Sequence, residues 1–266
     1  MENRHCEPAD LAAPSVLTRG AFLSRAGGLA LAGLGVNTDV LAGTPPPRWK
    51  GRQDSRVNRW DVVTIGNLSR NRYWGESDAQ GIRAAICTCT VIAGAGFRLL
   101  VDPSLAEAAE MTKELDRRTG IKPRDVTAVF VTHEHGDHVA GLAHFPEARW
   151  LASPAVAGLL NQSGKLSRRV EGTTDRLFNA IEVIPTPGHT DSHHSLRFDC
   201  EGLSIVIAGD AVATRDFFRA RQGYYNAVDF DLSARSMDKL AALADIIVPG
   251  HDNYFLVDPV PRASGA

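Results

Sequence analysis

VFVTHEHGDHVAGL, residues 129–142, packs three histidines and two acids into the six positions that follow a short apolar run. The run itself, VTAVFVTH at 126–133, has the β-branched, apolar content of a buried strand. Imidazole and carboxylate groups at the end of a buried strand are costly unless something offsets their lost hydration. Such a cluster is either a solvated His-rich turn or part of a metal site.

The same arrangement recurs further along the chain. AVFVT (128–132) leads into His133, His135, Asp137 and His138; EVIPTPG (182–188) leads into His189; SIVIAG (204–209) into Asp210; DIIVPG (245–250) into His251. Strand ends of one layered domain lie along a common edge, so these seven side chains can converge despite their separation in sequence. Five of the nine histidines fall in these positions, so the histidines are not spread evenly. Seven such groups exceed what one tetrahedral ion accepts and suit two ions that share a carboxylate. A helical zinc-protease motif is excluded, because it needs histidines at i and i+4 and position 137 is Asp.

The bulk composition is that of an ordinary globular protein: 266 residues, 44% of them hydrophobic, enough for one large domain or two small ones. A net charge of -2 offers no basic footprint for nucleic acid and no polybasic patch for a membrane, so a small-molecule partner is expected. Four cysteines form no disulfide framework, and Cys87 and Cys89 in AAICTCTVIAG read as small core residues rather than thiolate ligands. Residues 1–42 resemble an export leader. LTRGAFLSRAGGLALAGLGV contains an apolar run too short to span a bilayer, and Val40 and Ala42 stand like the small residues before a cleavage point. Thr18, Arg19, Phe22 and Leu23 fit a twin-arginine pattern, with Gly20 in place of the second arginine. Export to the periplasm or outside the cell is expected, without membrane association after processing; a cytoplasmic chain with an N-terminal extension is the alternative. Residues 43–58 read as a linker and 59–266 as the folded domain.

Strands are predicted at 59–68, 84–93, 97–103, 126–133, 149–153, 179–186, 194–200, 203–210 and 245–251. Helices are predicted at 104–120, with Ser104 as N-cap and Gly120 as stop, and at 138–145, 153–162 and 231–243. The mixture suits two sheets covered by helices. The long connections at 69–83 and 214–229 are candidates to line a site.

THEHGDH, TPGHT, AGD and VPGH together resemble the motifs of the metallo-β-lactamase fold superfamily, over residues 59–258. The resemblance implies an α/β fold, a four-layer αβ/βα sandwich of two mixed β-sheets with outer helices. It implies that His133, His135 and His189 hold one metal, that Asp137, His138 and His251 hold a second, and that Asp210 bridges them. It also implies that Asp102, in LLVDP, supports the site from behind. Two Zn2+ per chain are expected, with iron or manganese as substitutes. A pair of such ions would supply a bridging hydroxide as nucleophile, and Asp137 is expected to orient it and shuttle its proton.

Within the superfamily, true β-lactamases lack a bridging carboxylate where Asp210 stands, and di-iron oxygen-reducing members carry Glu where His135 stands. Hydrolysis of a small carbonyl ester, lactone or thioester remains. The layout from Asp210 to His251 is similar to the acyl-homoserine lactonase and glyoxalase II-like branches. Ala213, however, occupies the place of a lactonase tyrosine. Arg72, Tyr73, Trp74, Tyr224 and Tyr225 are candidate substrate residues, with Arg70 on the same rim, and His193 is a candidate to support a ligand histidine. A phosphodiesterase of the same fold and a non-catalytic metal- or ligand-binding protein are the alternatives.

Overall fold

The computed structural model describes residues 56–258; the leader, most of the linker and residues 259–266 lie outside the described residues. Among the described residues twelve strands form two six-stranded sheets. The first contains β1 (Val57–Thr64), β2 (Cys89–Gly94), β3 (Phe97–Val101), β4 (Ala128–Val131), β5 (Arg149–Ala152) and β6 (Glu171–Gly172), side by side in that order. β1, β2 and β3 pair antiparallel, and β3 to β6 pair parallel. The second contains β7 (Arg176–Leu177), β8 (Ile181–Pro185), β9 (His194–Cys200), β10 (Leu203–Gly209), β11 (Ile246–Pro249) and β12 (Phe255–Leu256), again in order, with only β10 and β11 parallel. Parallel neighbours require crossovers: α1 (Ala108–Thr119) joins β3 to β4, α3 (Pro154–Gln162) joins β5 to β6 and α5 (Phe230–Leu243) lies between β10 and β11, while residues 132–148 join β4 to β5 with only short helical turns. Two short helices, α2 (Gly136–Val139) and α4 (Arg215–Arg219), sit in the loops.

Side chains of a strand alternate between faces, and here both faces are buried. Leu99, Val101, Ala128 and Phe130 of the first sheet meet Leu196, Phe198, Ile205, Ile207 and Val248 of the second. The intervening residues Leu100, Val129 and Val131 pack outward on Met111 and Leu115 of α1 and Val156 and Leu160 of α3. Val206, Ala208 and Ile247 pack outward on Met237 and Leu240 of α5. The layers therefore run helix, sheet, sheet, helix, which is the four-layer sandwich expected. β8, β10 and β11 all point the same way, since β8 and β10 flank the antiparallel β9 and β10 is parallel to β11. Their C-terminal ends thus share one rim of the sandwich.

Several boundaries differ from expectation. α1 begins at Ala108, four residues after Ser104, and Glu107 occupies the N-cap without a side-chain cap bond. Residues 103–107 are held as a loop instead, because Pro103 O accepts a bond from Gly141 N, 2.8 Å away. Gly120 does end the helix, with φ 73° and its N–H on Asp116 O. The single helix expected at 138–145 is α2 followed by a 3-10 turn at Leu142–His144. β1 takes in Val57 and Asn58, residues expected in the linker, because Val57 is buried in the inter-sheet core. Among the described residues no helix is long and apolar enough to cross a membrane.

Candidate metal centre

The rim brings the seven residues together in two groups: His133, His135, His189 and Asp210 in one, Asp137, His138 and His251 in the other. Asp210 joins them. Its Oδ2 lies 3.2 Å from His189 Nε2 and 3.9 Å from His133 Nε2, while its Oδ1 lies 3.2 Å from both His138 Nε2 and His251 Nε2. His135 presents Nδ1 at 3.0 Å from His133 Nε2 and 2.9 Å from His189 Nε2. Asp137, at the start of α2, places Oδ2 3.5 Å from His251 Nε2.

The rings of His133, His138 and His251 are aimed by bonds on the side away from the centre. Asp102 accepts from Thr132 N (2.8 Å) on Oδ1, and from Thr132 Oγ1 (2.8 Å) and His138 Nδ1 (2.9 Å) on Oδ2. With its own proton committed to Asp102, Thr132 Oγ1 accepts from His133 Nδ1 at 3.1 Å. His251 Nδ1 donates to the carbonyls of Asn67 (3.0 Å) and Ile86 (2.9 Å). In each case the Nδ1–H is spent behind the ring, so Nε2 is the atom turned to the cluster. Asp102 pays for this service with a φ of 51°, a conformation that non-glycine residues rarely adopt.

Two glycines are required by close approach. A Cβ on Gly250 would stand 2.0 Å from Asp210 Oδ1. One on Gly209, whose φ is +52°, would meet Thr132 Oγ1 at 2.8 Å and His193 Nε2 at 2.9 Å. Each directly precedes a cluster residue, which accounts for the GD and GH pairs in the sequence.

Electrostatically the cluster divides. Burial pushes the pKa of His133 well below the ordinary value and that of His189 down to about 4, so both are neutral near pH 7. Burial opposes charge on His138 and His251 too, but Asp210 and Asp102 around His138, and Asp210 beside His251, outweigh it and raise both pKa values. Burial would likewise raise Asp210, yet His251, His138 and His189 hold it well below the usual carboxylate range. His138 Nε2 and Asp210 Oδ1 are buried with no hydrogen-bond partner. Buried polar atoms that converge without a hydrogen-bond partner are what a cation satisfies, and imidazole nitrogen and carboxylate oxygen suit zinc and similar divalent ions. The residues fit such ions. Cys87 is not among them. Burial pushes its thiol up to about 12, and the S–H faces the carbonyls of Asp137 (3.2 Å) and Asp102 (3.4 Å).

The five candidate substrate residues lie on the two long loops, and none hydrogen-bonds to the seven. Arg72 pairs with Asp78 at 2.5 Å, Tyr73 donates its hydroxyl to Gln222 Oε1 at 2.9 Å, and Trp74 is exposed. Tyr224 is buried and its hydroxyl donates to Arg70 O at 3.0 Å, 3.1 Å from Ser69 Oγ, so it staples the loops together and presents no free hydroxyl to a substrate. Tyr225 is exposed beneath the Arg70 guanidinium. His193 packs its ring 5.0 Å from that of His133, but its hydrogen bond runs to Thr186 Oγ1, and none runs to a cluster histidine. Thr132, Gly250 and the carbonyls of Asn67 and Ile86 were not read from the sequence. Only Thr132 carries a signal there, as the hydroxyl residue immediately before THEHGDH's first histidine.

A family model described as the metallo-beta-lactamase superfamily matches residues 82–251, which contain all seven residues. The chain belongs to the metallo-β-lactamase superfamily. Metallo-beta-lactamase domain-containing protein 1 of Homo sapiens is 34% identical over 151 residues, covering 52% of this chain and 52% of that protein. A hydroxyacylglutathione hydrolase of Xanthomonas axonopodis pv. citri (strain 306) is 34% identical over 169 residues, 61% of this chain and 59% of that protein. The chain thus spans about half to three fifths of the length of these two relatives. Among solved structures, a metallo-β-lactamase-like protein of Thermotoga maritima superposes with a TM-score of 0.56 at 19% identity, over 76% of this chain and 100% of the other. A quorum-quenching N-acyl homoserine lactone lactonase gives 0.57 at 19% identity, over 75% and 99%. Both share the superfamily's fold.

Proposed function

We propose that this chain is a dinuclear metal-dependent hydrolase of small carbonyl esters, thioesters or lactones. The observation that carries the proposal is the split carboxylate of Asp210, with one oxygen turned to each group of imidazoles. His133, His135 and His189 would hold one ion, Asp137, His138 and His251 the other, and Asp210 both. Zinc is the ion this donor set suits first, and iron and manganese accept the same donors. When bound, such a pair supplies Lewis acidity toward a carbonyl oxygen and lowers the pKa of water.

The protein's own contribution is positional. Thr132, Asp102 and the carbonyls of Asn67 and Ile86 fix three imidazoles in one tautomer before any substrate arrives. Asp137 is the acid of the cluster with solvent access, its side chain 24% exposed against 5% for Asp210. It is therefore the group placed to take a proton from attacking water and pass it to the leaving group. Relatives named as hydroxyacylglutathione hydrolases support a thioester or ester substrate. Ala213, buried with its carbonyl on His251 N, supplies no hydroxyl where the lactonase branch has tyrosine, and Tyr224 is already committed. A thioester or ester therefore ranks ahead of a lactone.

The test is metal analysis of the purified protein together with turnover of thioester, ester, lactone, β-lactam and phosphodiester substrates. Two divalent ions per chain with thioester or ester hydrolysis is the expected result. Turnover of phosphodiesters alone would overturn the assignment.

A further inference from the structure

We propose that Arg70, stacked on Tyr225, is an anion anchor beside the metal centre, so that the substrate carries a carboxylate or similar anionic group away from the bond that is cleaved. The inference rests on the hydrolase reading above and specifies its substrate class.

The arginines of the 69–83 loop are not equivalent. Arg72 is paired with Asp78, and Arg83 is paired with Glu76. Arg70 makes no ion pair with a carboxylate among the described residues; its guanidinium carbon lies 3.5 Å above the centre of the Tyr225 ring. Its Nε is buried and has no hydrogen-bond partner. A guanidinium held over an aromatic face by cation–π attraction spends none of its N–H donors on that contact, and its fork matches a carboxylate. An unpaired, partly desolvated donor gains more from an anion than an exposed one does.

The pair is tied to both halves of the centre through the backbone of its own loops. Arg70 follows by three residues Asn67, whose carbonyl receives His251 Nδ1. Tyr225 precedes by three residues Val228, whose N–H donates to His189 O. Three residues of extended chain reach at most about 11 Å, so Arg70 lies within that span of the carbonyl that orients His251 and Tyr225 within that span of the N–H bonded to His189 O. The pair is also held in place beforehand. Tyr224 bonds to Arg70 O, Asn71 N donates to Glu76 Oε2 at 2.6 Å, and Arg83 Nη1 donates to Leu68 O at 3.0 Å. A preorganised cation loses little entropy on binding its anion. Exposed Trp74, Ile82 and Val228 on the same loops offer apolar contact for the rest of the molecule.

The experiment uses the metal-loaded full chain and two thioesters with the same acyl group. One has 3-mercaptopropionate as leaving thiol, with its free carboxylate; the other has the methyl ester of that thiol. In R70M the preference for the anionic over the neutral thioester, as a ratio of kcat/KM, falls about ten-fold through KM. R70K restores part of the ratio, because the charge returns without the fork, and Y225L lowers it to a lesser degree than R70M. In parallel, Kd for glutarate and for acetate is measured by NMR titration. In R70M the affinity ratio of glutarate to acetate falls. If the wild type turns over neither thioester, the hydrolase reading fails while the glutarate ratio still decides the role of Arg70. An unchanged glutarate-to-acetate ratio in both R70M and R70K overturns the anchor, and R70K keeps the test alive should R70M not fold.

Discussion

Asp102 accepts three hydrogen bonds and holds a positive φ, so its carboxylate is over-determined by what it orients. Asp102→Asn replaces one acceptor oxygen by an amide NH2, which must face either Thr132 N–H or the donors at Thr132 Oγ1 and His138 Nδ1. The expected outcome is a loss of metal affinity of about 10–100-fold with the fold retained, measured by chelator competition alongside circular dichroism. Gly250→Ala acts from the opposite side. Its Cβ would displace Asp210 Oδ1, from which it would stand only 2.0 Å away. Loss of the ion on the Asp137, His138, His251 side is expected, read as metal content per chain, with the other ion retained. The sequence displayed the polar cluster because costly side chains after apolar strands need a reason. It could not display Asn67 O or Ile86 O, since a backbone carbonyl leaves no mark on residue identity. Gly250 was visible only as part of VPGH; that it must be glycine follows from the distance to Asp210.

At the scale of elements, the two long loops act as one unit through Tyr224. Its ring packs on Phe217 and Tyr225, and its hydroxyl links Ser69 and Arg70. Tyr224→Phe keeps the packing and deletes the link. A cost of about 1 kcal/mol is expected in denaturant melts, with faster amide exchange confined to residues 67–71 and 222–228. The strands β8 to β11 were legible from long apolar runs bounded by glycine and proline, and α5 from its amphipathic spacing. β6, β7 and β12 have two residues each, too few to carry any periodicity. The start of α1 was misplaced because Ser104 is a good cap by composition, whereas tertiary bonding to Gly141 keeps its segment extended. Tyr224 reads as a substrate residue for a similar reason. Residue type suggested a hydroxyl donor, and only the packing of one loop on the other shows where the hydroxyl goes.

For the whole molecule, the metal-free protein gathers five imidazoles and two carboxylates at one rim, and their proton affinities set how stability depends on pH. His138 and His251 have folded pKa values raised above about 6.5, the ordinary value for an unfolded histidine. Their contribution is complete below that value and is lost as pH rises through the raised pKa. His189, depressed to about 4, works in the opposite sense: its contribution is present above about 6.5 and lost as pH falls toward 4. Metal ions compete with protons only where protons are bound. At neutral pH that means His138 and His251, since His133 and His189 are already neutral. Metal uptake should therefore release protons, detectable by calorimetry in buffers of different ionisation enthalpy. As pH falls from about 8 to about 6, the Asp137, His138, His251 side should lose its ion before the other side does. The same competition governs heat stability. Raising pH across that range weakens the chelated protein through His138 and His251 and strengthens metal binding, which stabilises by mass action. The gap in Tm between zinc-loaded and chelated protein should consequently widen with pH. A gap that stays constant from about pH 6 to about pH 8 would mean that His138 and His251 are neutral without metal, and that Asp102 and Asp210 do not hold protons on them.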